Sequence, residues 1–137
     1  MLSNSDNIMN PYAPHSSKTQ EIEYFRMVDT INGYTNLLPN WDSYNANSIS
    51  IHAIDKALEA LNYLLRTGYL SNGIKVSVFP MRDGGVQFEF DGVNICAELE
   101  INPDGELTFI QFDDDGNILK SLQIFELTEL SNLLEEA

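Results

Sequence analysis

The sequence predicts an α+β fold: a five-stranded antiparallel meander packed on one face by two N-terminal helices, with a short C-terminal helix. Three observations lead there. Glycine-bearing turns at Asp83-Gly84-Gly85, Asp91-Gly92, Asn102-Pro103-Asp104-Gly105 and Asp113-Asp114-Asp115-Gly116 recur at hairpin intervals. Between them apolar and polar residues alternate, the period of a strand with one buried face. Upstream, two segments carry apolar residues three and four apart, the spacing of an amphipathic helix.

Residues 1–16, rich in Asn and Ser and holding Pro11 and Pro14, read as a flexible arm, and residues 17–137 as a single domain. Ser17 with Gln20 fits a capping box, and Ile22, Phe25, Val28 and Ile31 form a stripe expected to be buried. Asn32-Gly33 should end that helix, the glycine adopting the left-handed cap. Ser50 caps a second helix with Ile51, Ile54, Leu58, Leu61 and Leu65 inward. His52, Lys56, Glu59, Tyr63 and Arg66 take its wetter side, and Gly68 stops it. A last helix, 128–136, should be capped by Thr128 and bury Leu130, Leu133 and Leu134.

The turns predict the pairing. A two-residue Asp91-Gly92 turn places Phe90 opposite Val93, Phe88 opposite Ile95 and Val86 opposite Ala97, all on one face. A three-residue Pro103-Asp104-Gly105 loop sets Ile101 against Leu107 and Leu99 against Phe109. A two-residue Asp115-Gly116 turn sets Leu122 against Phe109 and Ile124 against Leu107. A first strand, about 74–81, joins through Val76 and Val78 if Asp83-Gly84-Gly85 is a three-residue loop. The same register leaves Gln87, Glu89, Asn94, Cys96, Glu98, Glu100, Glu106 and Thr108 on the reverse face, with Ile110, Phe112 and Leu119.

An apolar fraction of 43% with seven Phe, six Tyr and Trp41 in 137 residues supports a globular core. No apolar run reaches bilayer length and the polar N-terminus lacks a signal-peptide core, so a cytoplasmic setting is expected. Cys96 is the sole cysteine, which excludes an internal disulfide and a thiolate metal cage. The net charge is −14, and residues 68–137 hold fourteen acids against Lys75, Arg82 and Lys120, a balance of −11. Such a field repels nucleic acid and anionic membranes and favours a basic protein partner, or serves solubility alone.

Tests for chemistry return little. An EF-hand with its glycine at Gly116 needs an acid at 111 and a glutamate at 122, where Gln111 and Leu122 stand. His15 and His52 have no metal-ligand spacing, and neither a Gly-x-Ser-x-Gly elbow nor a phosphate loop occurs, so no metal, cofactor or catalytic set is assigned. Glu89, Glu98 and Glu100 are the residues able to supply paired carboxylates for acid–base work. The loop Trp41-Asp42-Ser43-Tyr44 offers two readings: a binding hot spot through Trp41, Asp42 and Tyr44, or an anchor in which Trp41 packs under the second helix and Asp42 accepts backbone hydrogen bonds.

Two segments of the chain resemble a family of small bacterial proteins with a recurring Trp-Asp-Gly-Tyr-Gly-Ala, then Pro-Ile-Ser before a helix, and later Asp-Gly-Gly-Val-Gln-Leu-Glu-Trp. Here they stand as Trp41-Asp42-Ser43-Tyr44-Asn45-Ala46 with Ser48-Ile49-Ser50, and Asp83-Gly84-Gly85-Val86-Gln87-Phe88-Glu89-Phe90. Glu98-Leu99-Glu100-Ile101 and Asp104-Gly105 follow, so the likeness covers roughly residues 37–112. It implies the helix-then-meander order and a bacterial or phage-like setting, and brings no activity with it. Ser43 and Asn45 replace glycines of the pattern.

The function expected is a non-catalytic binding protein docking a basic partner, in the manner of an antitoxin, an immunity protein or a phage-encoded inhibitor. Its contacts are expected from Trp41, Asp42, Tyr44, Glu89, Glu98, Glu100, Ile110 and Phe112. The alternatives are a small enzyme or ligand-binding domain using the carboxylate cluster, and a homodimer formed through Ile110, Phe112 and Leu119.

Overall fold

A computed structural model of the chain describes residues 18–70 and 73–137. The order is α1 (Lys18–Gly33), a 3-10 turn (Tyr34–Asn36), α2 (Ile51–Arg66), β1 (Lys75–Pro80), β2 (Val86–Asp91), β3 (Cys96–Ile101), β4 (Leu107–Phe112), β5 (Ile118–Ile124) and α3 (Thr128–Glu136). All five strands form one antiparallel sheet in sequence order, the predicted meander. The arm expected over residues 1–16 and the Ser17 cap lie outside the described residues.

One face of the sheet holds the core. Val86, Phe88, Phe90, Ala97, Leu99, Ile101, Leu107, Phe109 and Ile124 are buried there, sharing a cluster with residues of all three helices. Fully burying each of the Val, Leu, Ile and Phe side chains among them contributes roughly 1.5–3 kcal/mol, so the face dominates the stability of the fold.

Two registers match the expected ones: Ile101 with Leu107 and Leu99 with Phe109 across β3–β4, and Phe109 with Leu122 and Leu107 with Ile124 across β4–β5. The β4–β5 connection differs in detail. Asp113 N–H donates to the Asn117 carbonyl around a three-residue loop. The register then shifts between Gln111/Lys120 and Phe112/Ile118, leaving Leu119 as an extra residue in a bulge.

The β2–β3 register needs correction. Phe88 faces Leu99 and Val86 faces Ile101, because Gly92 N–H bonds the Ile95 carbonyl and the chain turns at Val93-Asn94, two residues further along than expected. Ile95 turns into the core there, while Val93 is 97% exposed. Each partner has moved by four residues, an even step, so every side chain that remains in the ladder keeps its face. Similarly, the β1–β2 loop is Arg82-Asp83-Gly84, closed by a Met81 N–H to Gly85 carbonyl bond, one residue earlier than expected. Val78 still meets Phe88 on the core face.

The helices also depart from their expected stripes. α1 buries Gln20, Met27 and Ile31, while Ile22 and Phe25 remain 56% and 62% exposed. Val28 and Ile31 lie against the core as expected, and packing on α2 buries Met27 in place of Ile22 and Phe25. Gly33 ends α1 in a right-handed conformation and passes directly into the 3-10 turn, so no left-handed cap forms. α2 turns Ala53, Ile54, Ala57, Ala60, Leu61 and Leu64 inward; Ile51 is exposed and Leu58 and Leu65 lie at the margin. Small alanines let this central helix approach its neighbours closely, which larger side chains would prevent. Tyr63 is buried too, its hydroxyl donating to Ser131 Oγ at 2.7 Å across to α3.

Ser50 caps α2 as expected, Oγ accepting from the N–H groups of His52 and Ala53, and Gly68 closes it at φ 85°. α3 buries Leu130 and Leu134 with Leu133 at the rim, but Thr128 does not cap it. Glu129 Oε2 instead reaches back to accept from Phe125 N–H at 2.8 Å and Glu126 N–H at 2.9 Å. No helix among the described residues is long and apolar enough to cross a membrane.

Candidate binding face

With α1, α2 and α3 all contributing to the core side, no described helix covers the opposite face. Strand alternation and register place three rows of side chains on it. Ser77, Glu89, Glu98, Ile110 and Ser121 form one row, and Phe79, Gln87, Glu100, Thr108 and Gln123 the next. Lys75, Asp91 and Cys96 begin the third, which Phe112 and Ile118 continue on the far strands.

Glu89 and Glu98 stand directly opposite each other on β2 and β3, and Glu100 faces Gln87 one row away. The alternation of ladder bonds makes Glu89/Glu98 a non-hydrogen-bonded pair, the arrangement that brings opposed side chains closest. Gln87 Nε2 donates to Glu89 Oε2 at 2.8 Å, which orients one carboxylate without neutralising it. Among the described residues the ion pairs are Arg26–Glu23, Lys56–Glu59, Arg82–Asp42 and Lys120–Glu136, none of which engages these three glutamates. Partial burial, and then the charges of Glu100 and Glu89, raise the Glu98 carboxyl above the ordinary glutamate value.

β4 carries the apolar part of the face, Ile110 and Phe112, both partly exposed, with Ile118 61% exposed on β5. Ile118, rather than the expected Leu119, stands beside Phe112, because the bulge withdraws Leu119 from the ladder. Asn94 likewise leaves the face for the β2–β3 loop. Phe79 joins it by alternation with Val78, and Asp91 because β2 runs on to pair it with Cys96.

A concavity of about 430 Å³ lies at one end of this side, between residues 91–96 and 112–114, but the one at the opposed glutamates is small. Glu89, Asp91, Cys96, Glu98 and Phe112 border a recess of about 90 Å³, whereas small-molecule sites run to roughly 300–1,000 Å³. Burial, and then the neighbouring Asp91, Glu98, Glu89 and Asp114 charges, push the Cys96 thiol up, which disfavours a nucleophilic thiolate. A larger depression of about 530 Å³ runs from Phe79, Gln87 and Glu89 to Arg82 and Asp83 in the β1–β2 turn.

That turn is where the Trp41 loop is held. Trp41 Nε1–H donates to the Asn47 carbonyl at 2.8 Å, and its ring packs partly buried against the core cluster. Asp42 Oδ1 accepts from Tyr44 N–H at 2.8 Å and Ala46 N–H at 3.1 Å, while Oδ2 lies 2.9 Å from Arg82 Nε. Partial burial works against the charge, but the Tyr44 and Ala46 N–H groups and the Arg82 guanidinium hold the Asp42 carboxyl below the ordinary aspartate value. Further down, Asn47 N–H bonds the Arg82 carbonyl, Ser50 N–H the Gly84 carbonyl, and Ser50 Oγ–H the Pro103 carbonyl at 2.5 Å.

The Trp41 loop and the Asp83-Gly84-Gly85 turn are therefore docked on each other. Glycine is required in the second: a Cβ on Gly85 would lie 2.2 Å from the Ile101 carbonyl oxygen, and one on Gly84 2.9 Å from the Ser48 oxygen. The sequence-predicted residues thus fall into two groups. Glu89, Glu98, Glu100, Ile110 and Phe112 share the open face. Trp41 and Asp42 are engaged in holding their loop, and Tyr44 contributes its carbonyl to Arg82 while its side chain is 74% exposed. No family model, curated protein or solved structure matches the chain.

Proposed function

We propose that the protein is a non-catalytic binding module whose open sheet face docks a basic protein partner. The opposition of Glu89 and Glu98, with Glu100 beside them and none of the three in an ion pair among the described residues, carries the reading. Like charges directly opposite on neighbouring strands are destabilising. A partner's Lys or Arg side chain relieves that repulsion on docking, so the arrangement favours the complex over the free protein. The net charge of −14 steers encounter with a basic surface, and Ile110 and Phe112 supply short-range apolar contact. An antitoxin, an immunity protein or a phage-encoded inhibitor works in this way.

The test is affinity capture from a bacterial lysate at low and high salt, using the natural chain and a Glu89→Gln, Glu98→Gln, Glu100→Gln variant. A basic protein retained at low salt, released by high salt and missed by the variant supports the reading. Absence of any salt-sensitive basic partner, or equal capture by the variant, rejects it.

A further inference from the structure

Resting on that reading, we infer that what docks on the open face is a basic amphipathic α-helix of the partner, lying along the strands. A segment seated on a sheet face, unlike one added at an edge, receives no backbone hydrogen bonds from the sheet. The N–H and C=O groups beneath it are already used in the ladders from β1 to β5. The incoming segment must satisfy its own backbone, and a helix does so internally. The core side of this sheet is itself covered by helices, so the complex would complete a three-layer arrangement.

The chemistry of the face runs in columns parallel to the strands. Gln87, Glu89 and Asp91 on β2 and Glu98 and Glu100 on β3 form an acidic band; Ile110 and Phe112 on β4, with Ile118 on β5, form an apolar band. A helix aligned with the strands presents Lys and Arg along one flank to the first band and an apolar stripe to the second. Strands of six residues measure about 20 Å at ~3.3 Å per residue, the length of a helix of about 14 residues at ~1.5 Å each. Residues 1–17 of this chain contain neither Lys nor Arg, so they do not supply the basic segment.

The probe is a synthetic peptide of about 14 residues with Lys and Leu segregated into adjoining stripes at helical spacing. Its control has the same composition with prolines placed centrally, which prevents the helix. Binding to the full chain is followed by peptide circular dichroism and by amide shifts across the sheet. The amphipathic peptide should gain helicity and shift Glu98 and Phe112. Its affinity should fall about tenfold at low salt on Glu98→Lys or on Phe112→Ser, with thermal unfolding confirming that each variant folds. If the proline control binds the same residues equally well, the helical occupant is wrong while the acidic docking face stands. If neither peptide shifts the open face, both fail.

Discussion

Arg82 Nε lies 2.9 Å from Asp42 Oδ2, and the same guanidinium donates through Nη2 to the Tyr44 carbonyl, so one side chain of the β1–β2 turn closes the Trp41 loop. Removing it by Arg82→Ala should lower the thermal unfolding midpoint and make Trp41 fluorescence more solvent-like. Because Arg82 is 66% exposed the loss should be small, and added salt should narrow it. A variant as stable as the natural chain would show that the Asp42 bonds to Tyr44 and Ala46 hold the loop without it.

Asp42 also sets a pH dependence. A carboxyl held below its unfolded-state value contributes stability that is present above the ordinary aspartate range and lost as pH falls through the lowered one. Asp42→Asn should therefore destabilise the protein at neutral pH and flatten the acid limb of a denaturant-midpoint profile. An unchanged acid limb would assign that limb to other carboxyls.

Glu98 has the opposite sign. Its raised carboxyl binds a proton more readily in the folded state, so stability falls as pH rises from the ordinary glutamate range through the raised one. Glu98→Gln should remove that decline and leave the protein more stable than the natural chain at neutral pH, with no gain at acid pH. Urea midpoints across the range measure it. A destabilised variant at neutral pH would mean that Glu98 has a favourable partner.

Ser43 and Asn45 adopt φ of 66° and 68°, where side chains are strained and glycine is not. Ser43→Gly should stabilise the protein by about 0.5–1 kcal/mol, and Asn45→Gly by less, since asparagine tolerates this region. Chemical denaturation of the single and double variants reads the effect, and a loss at Ser43 would show that unfolded-state entropy outweighs the relief of strain.

Gly85→Ala and Ser50→Ala probe the joint between loop and turns. The first drives a Cβ into the Ile101 carbonyl oxygen and should cost about 3 kcal/mol. The second removes both the α2 cap and the bond to Pro103, a loss of about 1–2 kcal/mol. Values near zero would mean that the turn shifts freely.

Much of the fold was legible, as particular elements show. Phe88, Leu99 and Phe109 share the buried face because alternation assigns faces without reference to register. Ser50 and Gly68 bound α2 through local hydrogen bonding that a short stretch of chain specifies. The stripe of α1 was legible only in part: Val28 and Ile31 lie against the core as expected, but packing on α2 buries Met27 and leaves Ile22 and Phe25 exposed. Of the site, the membership of Glu89, Glu98, Glu100, Ile110 and Phe112 in one face could be read, but not their neighbours. A two-residue Asp91-Gly92 turn would have set Glu89 opposite Asn94. The clasp between Asp42 and Arg82 had no sequence signal beyond the co-occurrence of two turn-like segments.

By itself the sequence determined the strand count, the order of elements, the polarity of each sheet face and the excess of negative charge. These follow from period, turn chemistry and composition, which are local or additive properties. Tertiary structure alone decided that Glu89 meets Glu98, that α1 buries Met27 rather than Ile22 and Phe25, and that the Trp41 loop locks onto Arg82. Each depends on contacts between distant segments, where loop lengths and the burial of residues such as Ile95 choose among registers that local preference leaves equivalent.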